Sequence, residues 1–281
     1  MARRDWERVK GVLEGFLAGQ DRARALAADP LSLVRRYASP DDREVAGLVV
    51  ACLAFGRVAS IRAKAGDALG RLGPSPSAAV DALTPARART LLKGWRHRMA
   101  GPEHLAALLL GISRVRRAHG SLGACFRAAF ERHHGSLRPA LADFVSGIGP
   151  VGGNLLADPR LGGACKRLNL YLRWMVRPDD GIDLGVWDGI PASALVMPLD
   201  THIHRVGRYV GLTRLKTPRW ETAASITASL ARMAPQDPLR YDFALCHLGI
   251  SGECRGKRVD AVCARCDLRE VCCLPRLGPA A

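Results

Sequence analysis

The sequence predicts an all-α protein. Three observations carry that reading. Apolar residues recur at helical spacing in segment after segment, and the apolar–polar alternation of strands is almost absent. The segments are joined by short stretches marked by Gly and Pro. Helices with one apolar stripe each must bury it against other helices, so a packed helical core follows.

Taken in order, residues 5–28 form an amphipathic pattern with Trp6, Val9, Val12, Leu13, Phe16 and Leu17 on one stripe, ended by Asp29 and Pro30. A short apolar piece, 31–37, leads to Ser39, Pro40, Asp41 and Asp42, a helix start with acids in its first turn. Residues 45–55 are nearly all apolar and predict a buried helix, broken at Gly56 and Arg57. A further helix is expected over 60–72, and Pro and Gly punctuate 73–76. Helical patterns then cover 83–92, 103–118, 122–133 and 137–145. Residues 147–163 are rich in Gly and Pro and predict a loop. It opens a helix from 164 with Leu168, Leu172 and Met175 on one face. A polar, Gly-bearing insert spans 178–194, and helices are expected after Asp200, over 220–233 and over 238–248.

Charge narrows the partner. Lys and Arg outnumber Asp and Glu by 42 to 26, a net charge of +16. That excess on a folded, non-repetitive chain points to a polyanion, with nucleic acid the commonest. The first residues carry charges throughout their apolar periodicity, unlike a signal peptide. No run approaches the ~20 apolar residues that cross a bilayer. The expectation is a monomeric cytoplasmic protein that meets no membrane. Nine cysteines in a reducing compartment argue for metal or thiol chemistry over disulfides.

Two stretches carry chemistry. In 196–213, an apolar run ends at Pro198, and Asp200 immediately precedes a helical pattern with Ile203, Val206 and Val210 on one face. An Asp there can cap the helix by accepting bonds from its first free N–H groups. The second stretch is Cys254, Cys263, Cys266 and Cys272, spaced C-x8-C-x2-C-x5-C. Four thiolates this close hold a metal, and both a 4Fe–4S cluster and a tetrahedral zinc accept four cysteines. One C-x-x-C pair with two single cysteines favours the larger cluster, with zinc the alternative. Cys273 adjoins Cys272 and is an alternative fourth ligand.

Together these residues resemble the helix–hairpin–helix DNA glycosylase superfamily, the endonuclease III group in particular. Leu199, Asp200, Thr201 and His202, followed by Arg205 and Val206, match the family's V-D-T-H-x-x-R-V block. The last three cysteines match the spacing of its C-terminal C-x6-C-x2-C-x5-C, the first gap being two residues longer. The chain also looks like a bacterial subgroup of this superfamily that lacks an assigned substrate. The likeness is specific at these two places and diffuse elsewhere beyond residue 39. It implies a two-domain helix–hairpin–helix fold with a four-cysteine cluster loop. Residues 40–176 would form a helical barrel domain with the hairpin, and 1–39 plus 177–281 the cluster domain.

The family's hairpin motif is not present intact. Two segments are candidates, 146–150 with its Gly-Ile-Gly turn, and 161–166, where Gly162 and Gly163 run into a helix. Backbone N–H groups of such a turn can hold a DNA phosphate. The second candidate puts Lys166 where bifunctional members carry their lysine. Lys166 and Asp200 are separated more widely than in the common pattern, and the archaeal 8-oxoguanine glycosylase branch looks to have a similarly long separation.

The resemblance implies base excision from double-stranded DNA carrying a damaged, modified or abasic nucleotide, on the nucleoid. Asp200 would stabilise the oxocarbenium-like sugar, and Lys166 would attack C1′ as an amine and give AP-lyase activity. With Lys166 as a phosphate contact instead, the enzyme would be a monofunctional glycosylase. Without turnover, the chain would be a DNA-binding lesion sensor. DNA-binding candidates are Gly162, Gly163, His202, Arg205, Arg255, Lys257 and Arg258, with Arg57 as a wedge filling the space left by the flipped base. Tyr171, Trp187 and Asp188 are candidates for the base pocket.

Overall fold

The computed structural model describes residues 4–250, 254 and 257–274. Among them the chain is all helical, with two isolated β-bridges and no strand. The helices are α1 Trp6–Ala18, α2 Arg22–Ala28, α3 Leu31–Val34, α4 Pro40–Cys52, α5 Val58–Leu72 and α6 Pro76–Asp81. They continue with α7 Pro85–Leu91, α8 Pro102–His119, α9 Leu122–Arg132, α10 Leu137–Ile148 and α11 Lys166–Val176. The last four are α12 Thr201–Tyr209, α13 Trp220–Ala231, α14 Asp242–Ile250 and α15 Asp260–Cys263. No described helix is long and apolar enough to cross a membrane.

Local chemistry sets most boundaries. Asp5, Asp21, Ser75, Thr84 and Ser121 each accept a hydrogen bond from a backbone N–H of the first turn that follows. Proline opens α4, α6, α7 and α8, where its missing N–H costs nothing. The single helix expected over 5–28 is two. Gly19 closes α1 by donating back to the Gly15 and Leu17 carbonyls, and Asp21 caps a new helix at once. The punctuated stretch after Gly73 holds α6, started by Ser75 and Pro76.

The buried apolar residues form two cores. The larger gathers α3–α5 and α8–α11 around Leu48, Leu105, Phe126, Phe144 and Trp174. The smaller joins Val9, Leu13 and Phe16 of α1 to Ile203 and Val206 of α12, Ile226 of α13 and Leu245 of α14. The division at residue 176 expected from sequence does not describe these cores. Leu31, Leu33 and Val34 lie in the larger one, and so do Ile182, Leu184, Trp187 and Ile190 of the insert. The reason is in the main chain: Leu184 N–H bonds the Trp174 carbonyl and Trp187 N–H bonds that of Met175, so the insert folds back along the end of α11.

Helix α11 lies close against α4. A Cβ on Gly47 would come within 2.8 Å of Met175 Cε and 3.2 Å of the Tyr171 ring, so glycine permits this approach. The Tyr171 hydroxyl donates to the Glu44 carbonyl and locks the pair in register. This packing brings the first turn of α11 to the end of α4.

A buried ionic network ties the two cores together. Arg173 of α11 donates to Asp183 of the insert and to Asp242 of α14. Arg177 donates to Asp183 and, at 2.9 and 2.8 Å, to Asp237. Burial works against the Arg173 charge, and Asp183 and Asp242 more than offset it. Burial also pushes Asp183 and Asp242 up, against the pull of the guanidiniums. Asp183 of the insert therefore turns inward to neutralise Arg173 of α11 and Arg177 at its C-cap.

Candidate functional site

Where α11, α12 and α14 meet the end of α4 there is a small open cleft of about 80 Å³. Its apolar walls include Val58, Ile61, Leu170, Pro198 and Phe243. Its charged and proton-carrying lining is Asp29, Lys166, Arg173, Asp200, Asp242, Cys246 and His247.

Asp200 does two jobs with two oxygens. Oδ1 accepts from the N–H groups of His202 at 2.9 Å and Ile203 at 2.8 Å, capping α12. Oδ2 is left for the cleft, 4.0 Å from Lys166 Nζ. The Cys246 thiol donates to that same oxygen, Sγ to Oδ2 being 3.7 Å. Lys166 is the first residue of α11 and also donates to the Ala54 carbonyl, at 3.3 Å, just beyond the end of α4. Both side chains keep access to solvent, 31% for Lys166 and 17% for Asp200. Residues far apart in sequence thus form one ammonium–carboxylate pair at an open cleft.

Cys246, Asp242, His247 and Asp29 were not legible as site residues. Burial pushes the Cys246 thiol well above its ordinary range, and the carboxylates of Asp200 and Asp242 push it further. It therefore stays protonated and acts as a donor to Asp200. The one sequence signal was weak: Asp242 and Cys246 are four residues apart and share a helix face.

The two hairpin candidates stand at opposite ends of the same connection, residues 149–165, between α10 and α11. Gly149 has φ 86° after α10, and Gly162, with φ 77°, sits in the left-handed turn before α11. The Gly162 carbonyl accepts from Trp220 N–H, and Gly163 bridges to Arg219, which docks this turn on α13. Arg57 is exposed, one residue before the cleft-lining Val58.

Other expected DNA-binding residues lie elsewhere. Arg205 donates at 2.8 Å to the Cys254 carbonyl and approaches His202 Nδ1 at 3.5 Å, so its guanidinium joins α12 to the cysteine segment. Lys257 is exposed, Arg258 pairs with Asp260, and Arg255 lies outside the described residues.

The base-pocket candidates lie away from the cleft. Tyr171 is fully buried and Trp187 is 5% exposed, and neither lines the cleft. Trp187 stacks on Phe126, its ring 5.7 Å away, and its indole N–H donates to Glu44 Oε1 at 2.5 Å. Glu44 in turn accepts from Leu122 and Gly123 and so caps α9. Trp187 meets α11 at Met175, nine residues and therefore roughly 14 Å along the helix from Lys166. Asp188 is exposed beside it, at that same far end. The apolar character of these rings is satisfied by the core.

Cys263, Cys266 and Cys272 line one hollow near Arg8 of α1. Burial raises Cys266, and the charges of Cys254, Cys272 and Cys263 raise it further, so all four thiols lie within electrostatic reach of each other's site. Cys273 is engaged apart: its Sγ accepts from Arg4, and its N–H donates to the Tyr209 carbonyl. Among the described residues no three such side chains converge to metal-bonding distance. Three of the four thiols, those of Cys263, Cys266 and Cys272, line this hollow, and thiols are the donor type that a thiolate-bound metal or cluster would use.

The family model described as "Protein of unknown function (DUF2400)" matches residues 29–251. The chain belongs to the DUF2400 family. The DUF2400 span takes in every residue lining the cleft, from Asp29 to His247, and stops before Cys254. No curated protein and no solved structure matches the chain.

Proposed function

We propose that this DUF2400 protein is a DNA base-excision glycosylase with AP-lyase activity, acting at the Lys166–Asp200 pair. The observation that carries the reading is the 4.0 Å approach of Lys166 Nζ to Asp200 Oδ2 in an open cleft. Breaking the C1′–N bond leaves positive charge on the sugar, and a fixed carboxylate oxygen beside C1′ lowers that barrier. Oδ2 suits the task because Oδ1 alone carries the helix cap and holds the carboxylate still. An amine at Lys166 can then form a bond to C1′ as the base leaves with the bonding pair, giving a Schiff base after ring opening. Asp200, within reach of Nζ, can take the proton that the amine must lose.

The net charge of +16 supports a DNA partner. So does the exposure of Arg57, Lys93, Arg96 and Arg98 on segments next to the end of α4, with Arg98 lying across Gly56. The fold reading that goes with this function is a two-domain helix–hairpin–helix glycosylase, with α10, residues 149–165 and α11 as its helix–hairpin–helix. Extrusion of the base into the cleft would be helped where the pair is damaged or mismatched.

Base release from duplex oligonucleotides carrying 8-oxoguanine, an oxidised pyrimidine or uracil tests the assignment. Asp200→Asn keeps the cap, because Asn caps helices as well as Asp does. It should slow release by about 100- to 1,000-fold with α12 intact. Release at the wild-type rate by this variant would remove Asp200 from the chemistry.

Cys254, Cys263, Cys266 and Cys272 are proposed to hold a 4Fe–4S cluster, which would brace the C-terminal segment and take no part in base release. Anaerobically purified protein should be brown and contain iron and sulfide. Colourless protein with zinc and no iron would replace the cluster by a structural zinc site.

A further inference from the structure

The cleft holds a second proton-carrying pair that the Lys166–Asp200 chemistry leaves unused. His247 of α14 and Asp29, between α2 and α3, both line it. His247 Nε2 lies 3.4 Å from Asp29 Oδ2, with the two side chains 19% and 20% exposed. Nε2 itself is buried and makes no hydrogen bond, the carboxylate being near enough but out of line. Asp29 is held in place, since Oδ1 accepts from Leu31 N–H at 2.8 Å. The imidazole is held against the Phe243 ring, 4.3 Å between centroids. A carboxylate behind one ring nitrogen sets the tautomer and steadies the imidazolium formed when the other nitrogen takes a proton.

Elimination among the cleft groups points the same way. Strand cleavage after Schiff-base formation needs a base at C2′, one bond from the carbon that Lys166 attacks. Asp200 is committed at C1′, with one oxygen capping α12 and the other facing Lys166 and Cys246. Asp242 is bonded to Arg173. The Cys246 thiol keeps its proton, because burial and then Asp200 and Asp242 oppose its charge. His247, facing Asp29, is the remaining cleft group able to carry a proton.

We propose that His247, oriented by Asp29, is the base that removes the C2′ proton in the strand-cleaving step. This rests on the glycosylase–lyase reading above. In the iminium formed between C1′ and Lys166 Nζ, His247 takes the C2′ proton, and the C2′–H pair becomes the C1′–C2′ double bond of an enamine. The enamine returns its electrons through C2′, forms the C2′–C3′ double bond and expels the 3′ phosphate with the C3′–O pair. The imidazolium, faced by Asp29, then gives its proton to water, and water hydrolyses the unsaturated iminium to free Lys166. Asp29 is a positioning residue in this scheme.

The test uses the full chain and a duplex with one abasic site, read two ways. Borohydride trapping reports the Schiff base, and strand scission without borohydride reports C2′ proton removal. His247→Gln should trap as well as wild type while scission slows by about 100-fold or more. Asp29→Asn should slow scission by a smaller factor with trapping kept, and added imidazole should restore scission to His247→Gly. Wild-type scission by His247→Gln would overturn the proposal. So would a parallel loss of trapping and scission with a lowered melting temperature, which marks a structural role. A wild-type chain that never traps would defeat the lysine reading itself, and this proposal with it.

Discussion

Borohydride reduction of the wild-type chain on an abasic duplex is expected to give a covalent protein–DNA complex, and Lys166→Gln should lose it by more than about 1,000-fold. The effect is large because the trapped bond is made by Nζ itself, and an amide cannot replace a nucleophilic amine. Gln keeps nearly the helix propensity of Lys, so the first turn of α11 should form unchanged. The substitution removes the 3.3 Å hydrogen bond to the Ala54 carbonyl, at an accessible position where water can replace it. Circular dichroism and DNA binding should therefore stay near wild type. If Lys166→Gln traps as well as wild type, another amine is the nucleophile. If neither traps but base release still depends on Asp200, the enzyme is a monofunctional glycosylase. Tight DNA binding with no release on any lesion would make the chain a sensor.

Arg173→Met is expected to destabilise the fold by about 3–5 kcal/mol, measured by urea unfolding. Arg173 is buried between Asp183 and Asp242, so removing it leaves two carboxylates facing each other with less compensation. The loss should depend on pH with a definite sign. Burial first, against the pull of the arginines, already holds both carboxyls above their ordinary range. A carboxyl raised in the folded state favours folding when protonated, and that contribution is lost as pH rises through its folded value. The deficit of the variant should therefore be largest near neutrality and shrink on acidification. A deficit that is flat with pH, or under about 1 kcal/mol, would show that the network is not needed for stability. Because Arg173 also joins α11 to α14, the Lys166–Asp200 distance should loosen, and trapping should weaken with stability.

Much of this protein is decided by local sequence. Helical period, Pro at first turns and Ser, Thr or Asp caps are short-range signals, and they set the all-helical class and most helix starts. Asp200 was legible as a cap for the same reason, its partners being two and three residues away. The break at Gly19 and the helix at Pro76 were missed, because the apolar stripe runs across the first and the punctuation precedes the second. Lys166 was nominated by the family resemblance, after a Gly-rich turn that runs into a helix, but its distance from Asp200 was not legible. Only the packing of α11 on α4 past Gly47, with α12 opposite, decides that distance.

The rest depended on contacts between distant segments. Tyr171 and Trp187 were read from sequence as base-pocket candidates, and an aromatic ring satisfies pocket and core alike. The fold of the insert onto α11 decided for core. The acids of the insert carry no local sign that they neutralise Arg173 and Arg177. Cys246 and His247 sit on a short apolar helix that looks like filler, and Asp29 looks like a helix stop. Tertiary structure alone makes them cleft residues, because a side chain's chemistry depends on which segments surround it, and that is not set by its neighbours in the chain.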